Sequence, residues 1–318
     1  MRDASVPKLS YHVILNASAG TASATGVTSQ TLEAVFADRG LDVTVDSDPD
    51  VSLDERVKRA LESDADVIVA GGGDGTIAAL AGALAGTDKA LAVLPLGTVN
   101  AVARDLGLPL TLEEAVAGIA DGELRPIDIG EVNGRLFLHM AAVGFVAGIA
   151  AAREKVRGHF GLLEFIGFSR FFARRLARSR RMALAINPDE GEARVERAQA
   201  FAVVCSEFSE GFGRMFSRDR LDSGTLTLYV VRHLSGADLI RLTLGMFLGR
   251  WRQDDALRIE HVREVTVDTR KPTVKVMLDG ELANIETPLV FKVRPLALTM
   301  VMPAQTSSQT PMEGTSAA

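Results

Sequence analysis

The stretch DVIVAGGGDGT, residues 66–76, decides how this chain is read. An apolar run at 67–70 empties directly into three glycines, an aspartate, a glycine and a threonine. The run reads as a short buried strand, and the helical pattern at 76–85 that follows makes the join the turn of a βαβ unit. One glycine would serve a tight turn. Gly71, Gly72, Gly73 and Gly75 exceed that need, because each one raises the entropy lost on folding. Bare N–H groups at a helix start form a site for phosphate. No Gly-Lys-Ser/Thr follows, so this is not a Walker A loop, and the third glycine of a dinucleotide fingerprint is missing. Asp74 is the distinguishing feature. A carboxylate among phosphate-binding N–H groups repels the ligand unless a divalent cation or a donated proton stands between them.

Two more loops share this design. The run LAVLPLGTVN leaves a strand at 90–94 through Pro95, Gly97 and Thr98 to Asn100, then opens a short helix at 101–104. ILNASAGTAS leaves a strand at 11–15 and carries Asn16, Ser18, Gly20 and Thr21. With a further strand at 43–45 and helices at 28–39, 53–63 and 112–120, the first part alternates strand and helix. That alternation predicts an α/β N-terminal domain with an open, mainly parallel sheet, over 8–125. All three loops then lie at the carboxyl edge of the strands, where open α/β sheets bind ligands.

From Pro126 the pattern becomes β-rich. IDIGEVNGRLFLHM holds two strand-like runs about Asn133-Gly134, a hairpin dipeptide. Further strands are expected at 183–186, 198–205, 226–231, 257–267, 274–278 and 289–293, with helices near 161–181 and 236–250. The expectation is a β-rich, antiparallel, sandwich-like second domain over 126–303, whose last strand returns to the first domain, and a disordered polar tail over 304–318.

The 318 residues are 47% hydrophobic and 24% charged, the composition of a soluble globular protein. A net charge of −6 argues against a nucleic-acid partner. The lone Cys205 excludes an internal disulfide and a Cys-rich metal site, and suits a reducing cytoplasm. The opening MRDASVPKLS lacks a signal-peptide core, and no apolar run is long enough to span a membrane.

GGDGT at 72–76, followed by PLGTVNAVARDLGLP at 95–109 and by LDGE at 278–281, resembles the diacylglycerol kinase catalytic domain family. The pattern is similar to that of the bacterial lipid kinases related to sphingoid-base kinases, and the likeness extends over most of residues 8–300. The resemblance implies a nucleotide domain and a β-rich domain, with ATP and a lipid hydroxyl meeting between them. It implies that Gly72, Gly73, Asp74, Gly75, Thr76 and Thr98 meet the nucleotide phosphates, with Mg²⁺ accompanying ATP. It also implies that Asp74 is essential and that Glu281, with Asp279 beside it, is the catalytic base. Phosphoryl transfer independently calls for positioning, charge neutralisation and a proton acceptor, and Asp279 and Glu281 stand two apart at a strand end. That turn by itself also reads as an ordinary Asp-Gly hairpin.

The chain departs from the family at three places. Asn16-Ala17 replaces the usual Asn-Pro, and Ala78 replaces a frequent Asn. In LDSGTL, Ser223 stands where the family often has an aspartate that helps bind a structural Mg²⁺, leaving the adjacent Asp222 as the metal candidate.

Residues 153–181 hold nine Lys/Arg against two Glu. At 100° per residue Arg170, Arg174, Arg178 and Arg181 share one face with Phe171 among them, and Leu162, Phe165, Phe168, Phe172 and Leu176 share the other. Such a face suits docking on an anionic membrane surface; a solvated helix is the simpler alternative. His139 and Trp251 read as packing residues. Taken together, the residues predict an ATP- and Mg²⁺-dependent lipid kinase at the inner membrane face. The rivals are a kinase of a soluble alcohol or NAD, and a nucleotide- or lipid-binding regulator.

Overall fold

The structure, a computed structural model, describes residues 9–16, 26–144, 181–210 and 218–304. Four parallel strands open the chain: β1 (Ser10–Leu15), β2 (Asp42–Asp46), β3 (Val67–Gly72) and β4 (Ala90–Pro95), in the order β2-β1-β3-β4. Between and after them run α1 (Ser29–Asp38), α2 (Leu53–Glu62), α3 (Asp74–Leu84), α4 (Ala101–Asp105) and α5 (Leu112–Ala120). Thr28, Ser52 and Thr111 start α1, α2 and α5 by accepting a backbone N–H with the side chain. β3 and β4 are buried along their whole length, as a parallel sheet covered on both faces requires. Ile68 and Ala70 face a core shared with Ile77, Leu80 and Leu84 of α3, whereas Val67 and Val69 face Leu32 and Phe36 of α1.

The second part is built from β5 (Glu123–Val132), β6 (Arg135–Phe137), β7 (Met140–Gly144), β8 (Met182–Pro188), β9 (Arg194–Ala198) and β10 (Ala200–Cys205). It continues through β11 (Leu226–Val231), α6 (Gly236–Leu248), β12 (Leu257–Val262), β13 (Glu264–Thr269), β14 (Thr273–Leu278), β15 (Glu281–Glu286) and β16 (Leu289–Met302). An antiparallel sheet of order β12-β11-β10-β7-β14-β15 packs across the continuation of the first sheet. Phe137, Phe201 and Phe291 meet edge-on in the core between them, at 6.5 and 6.1 Å.

Three details differ from the sequence expectations. The expected strand at 257–267 is two strands in different sheets. It breaks at Arg263, whose N–H turns to the Asp189 carboxylate at 3.1 Å. The expected strand at 289–293 runs on to Met302, pairing with β13 at one end and parallel to β4 at the other. Asp128 holds the irregularity between, accepting the Leu296 N–H at 2.9 Å where φ is +50°. The glycines after Ala70 are also not a loop: Gly71 and Gly72 extend β3, and Asp74 already belongs to α3. The Asn133-Gly134 turn has positive φ at both residues, 46° and 82°, as its dipeptide predicts. The helix expected near 161–181 falls outside the described residues.

Candidate active site

At the carboxyl edge of β3 and β4 the backbones nearly touch. A β-carbon on Gly73 would lie 3.4 Å from Gly97 Cα, and one on Gly97 would lie 2.5 Å from Gly73 Cα. A β-carbon on Gly72 would meet Thr76 Oγ1 at 2.5 Å. None of these glycines has a positive φ, so crowding rather than dihedral freedom selects them. The result is a cradle of bare backbone at the start of the eleven-residue α3. Asn16 borders it, donating its N–H to Gly71 O at 2.7 Å, with Nδ2 3.5 Å from Thr76 Oγ1. Thr98 is exposed, while Asn100 is buried in a left-handed turn (φ 51°) and donates from Nδ2 to Pro95 O at 2.9 Å. Asn100 therefore shapes the second loop from inside. Ser18 and Gly20 fall outside the described residues.

Asp74 lies in the first turn of α3, and its Oδ1 accepts the Val102 N–H of α4 at 3.1 Å. One carboxylate thus ties the two glycine loops together.

The β14–β15 turn comes to the same place from the other part of the chain. Glu281 is exposed, and its Oε1 rests where a β-carbon on Gly75 would have to go. Asp279 does something different from the pairing expected of it. Both its oxygens are turned inward: Oδ2 accepts Leu138 N–H at 2.6 Å, and Oδ1 accepts those of His139 and Met140 at 2.8 and 3.0 Å. Burial pushes its carboxyl above the usual range, with the three N–H groups pulling the other way. Asp279 (φ 48°) and Gly280 (φ 101°) form the turn that delivers Glu281. Of the two carboxylates expected side by side, Asp279 is therefore turned inward and Glu281 alone reaches Gly75.

Sequence reasoning missed a buried ion pair nearby. Arg218 donates from Nε to Asp105 Oδ2 at 2.9 Å, with Nη2 also on that oxygen, and from Nη1 to the carbonyls of Leu138 and Cys205, both at 2.9 Å. Burial opposes the charge on Asp105, but Arg218 and His139 together outweigh it and hold the carboxyl below its ordinary range. His139 Nδ1 stands 3.1 Å from the same oxygen, its ring against Phe208. Asp105 is the third residue of the ARDLGLP run, where only the apolar residues after it hinted at burial. Trp251 is core, packed on Tyr229, and the Cys205 thiol is pushed up by burial.

A model of the diacylglycerol kinase catalytic domain matches residues 10–132, and one of the YegS C-terminal NAD kinase beta sandwich-like domain matches residues 141–302. The chain belongs to the diacylglycerol kinase catalytic domain family. A probable YegS-like lipid kinase of Pseudomonas aeruginosa is 36% identical over 258 residues, covering 78% of this chain and 80% of that protein. A diacylglycerol kinase of Bacillus subtilis is 27% identical over 238 residues, covering 72% and 75%. The crystal structure of a putative diacylglycerol kinase from Bacillus anthracis shares the fold, with a TM-score of 0.71 at 22% identity over 95% of this chain and 98% of that one.

Within this diacylglycerol kinase fold the metal-binding expectation for Asp222 has no support. Asp222 is exposed and pairs with Arg220 at 3.3 Å. Ser223 Oγ donates to Ser206 Oγ at 2.9 Å, and Asp128 Oδ2 accepts the Gly224 N–H at 2.6 Å. Among the described residues no three His, Cys, Asp or Glu converge. No described helix is long and apolar enough to cross a membrane.

Proposed function

We propose that this chain transfers the γ-phosphate of ATP to a hydroxyl of a lipid, such as diacylglycerol or a sphingoid-like base. The observation that carries the reading is the approach of the Glu281 carboxylate to Gly75, the middle of the glycine cradle. A phosphate chain seated on the N–H groups of Gly72, Gly73, Gly75 and Thr76 would have its terminal group beside Glu281. Glu281 then accepts the proton of the attacking alcohol as the new O–P bond forms. Thr98 borders the cradle from the second loop, and Asp74 holds both loops in register.

The cradle suits a polyphosphate, because its glycines leave the backbone at the start of α3 bare of side chains and no side chain caps that helix. It offers Asp74 as a protein carboxylate for the Mg²⁺ that ATP carries. That ion would supply charge neutralisation on the phosphate oxygens. Ala78, Ala81, Gly82, Leu136, Leu138 and Asp279 line a small depression one turn along α3 from Gly75. Ala78 leaves this wall apolar, which suits a lipid acceptor better than a sugar or a nucleotide.

Access to a bilayer is assigned to Arg170, Phe171, Arg174 and Arg178, which lie outside the described residues. Each basic residue near an anionic surface is worth about 1 kcal/mol, enough for peripheral docking at the inner face of the cell membrane. Labelled ATP supplied with a lipid extract, with glycerol and with NAD tests the acceptor class. Label in the lipid phase supports the reading, whereas label on NAD or glycerol alone overturns it.

A further inference from the structure

We infer that the buried Asp105–Arg218 pair is a positioning device for Glu281, acting through Leu138 and Asp279; this rests on the reading of Glu281 as the base. The contacts close a ring around the cleft. Asp74 accepts the second N–H of α4, and Asp105 ends that same five-residue helix. Arg218 joins Asp105 to the Leu138 carbonyl. The Leu138, His139 and Met140 N–H groups then fix Asp279, whose own N–H returns to Met140 O at 3.0 Å. One residue past Gly280, Glu281 closes the ring on Gly75, next to Asp74.

The links from Asp105 through Arg218 and Leu138 to Asp279 are short and buried, so slack has little room to accumulate there. The Arg218 and Asp105 side chains are 1% and 2% exposed. A buried ion pair is a poor way to gain stability, since apolar residues of the same volume often do as well. What it supplies is direction. A planar guanidinium with fixed donors sets the distance and angle between α4 and the chain at 138. Asp105 comes from the nucleotide domain, while Leu138, Arg218 and Asp279 come from the β-rich part. The pair therefore sets where the carboxylate of one part meets the glycines of the other. A base misplaced by about 1 Å can cost on the order of 100-fold in rate.

The test is a double-mutant cycle in single-turnover phosphoryl transfer, using ATP and diacylglycerol in mixed micelles. Arg218→Lys keeps the charge and loses the planar fork. It should slow transfer on the order of 10- to 100-fold, with ATP affinity unchanged. In a Glu281→Gln background the same substitution should change the rate by less than about threefold, because it acts through a base already removed. Asp105→Asn runs the same cycle if Arg218→Lys does not fold. Equal slowing in both backgrounds, or no slowing in the wild type, overturns the proposal. If Glu281→Gln itself leaves the rate intact, the reading of the base has failed instead.

Discussion

Glu281 Oε1 occupies the space that a side chain on Gly75 would need. Two segments more than 200 residues apart thus meet at one carboxylate and one bare Cα. The contact lies at the edge of the parallel sheet where Gly73 and Gly97 also approach each other.

Gly75→Ala separates stability from activity. The residue lies in the first turn of α3, where alanine is favoured over glycine by up to about 1 kcal/mol. Among the described residues the obstacle is the end of an exposed glutamate, which can swing aside. The variant should melt at or slightly above the wild-type temperature while transfer falls about 10-fold or more, through displacement of the carboxylate. Thermal melting beside single-turnover kinetics checks this. Wild-type kinetics would remove the contact from the mechanism.

Asp74→Asn should keep the fold and lose turnover. The amide oxygen can still accept the Val102 N–H, whereas the charge needed beside a cation and phosphates is gone. Asp74→Ala should lose the N–H acceptor as well, at about 1 kcal/mol, and melt lower than the Asn variant. Calorimetry orders the two.

Chelation should leave the melting curve of the free protein unchanged. A structural ion present at 100 times its dissociation constant would add about 2.7 kcal/mol, and none is expected with Ser223 bonded to Ser206. A melting temperature that falls in chelator and recovers with Mg²⁺ would show that this turn binds metal after all.

Asp105 gives a pH signature. Its folded carboxyl sits below its ordinary value because, against the opposing effect of burial, Arg218 and His139 together favour the charged form. Its contribution to stability is therefore complete above the unfolded pKa, near 4, and is lost as pH falls through the lower folded value. Asp105→Asn should cost about 3–5 kcal/mol near neutrality, because it leaves Arg218 buried and unpaired. The gap between wild type and variant should narrow below about pH 4. Urea titrations at several pH values read that gap directly, and a pH-independent gap would refute the assignment.

Much of this was legible in the residues because it depends on local chemistry. Apolar runs emptying into glycine loops mark parallel strands and the ligand-binding edge, and Asn133-Gly134 marks its own turn. Long-range terms were not legible. Nothing near Arg263 says that one β-branched run will divide between two sheets, since both halves carry the same strand pattern. Asp279 reads locally as a polar turn residue, and only its contact with Leu138, His139 and Met140, some 140 positions away, turns it inward. Arg218 carries no signal at all, because its partners are Asp105 and the carbonyls of Leu138 and Cys205. For the same reason the cradle was recognisable from sequence, while the group that closes it required the fold.

The most direct measurement follows labelled γ-phosphate from ATP to diacylglycerol in anionic vesicles, for wild type and Glu281→Gln, beside the ATP dissociation constant of each. Wild type should produce phosphorylated lipid. The variant should do so about 100-fold more slowly or worse, with ATP affinity unchanged, because a base acts on the alcohol and not on the nucleotide. Transfer at the wild-type rate by Glu281→Gln, or a variant that loses ATP binding while its single-turnover rate holds, would contradict the account.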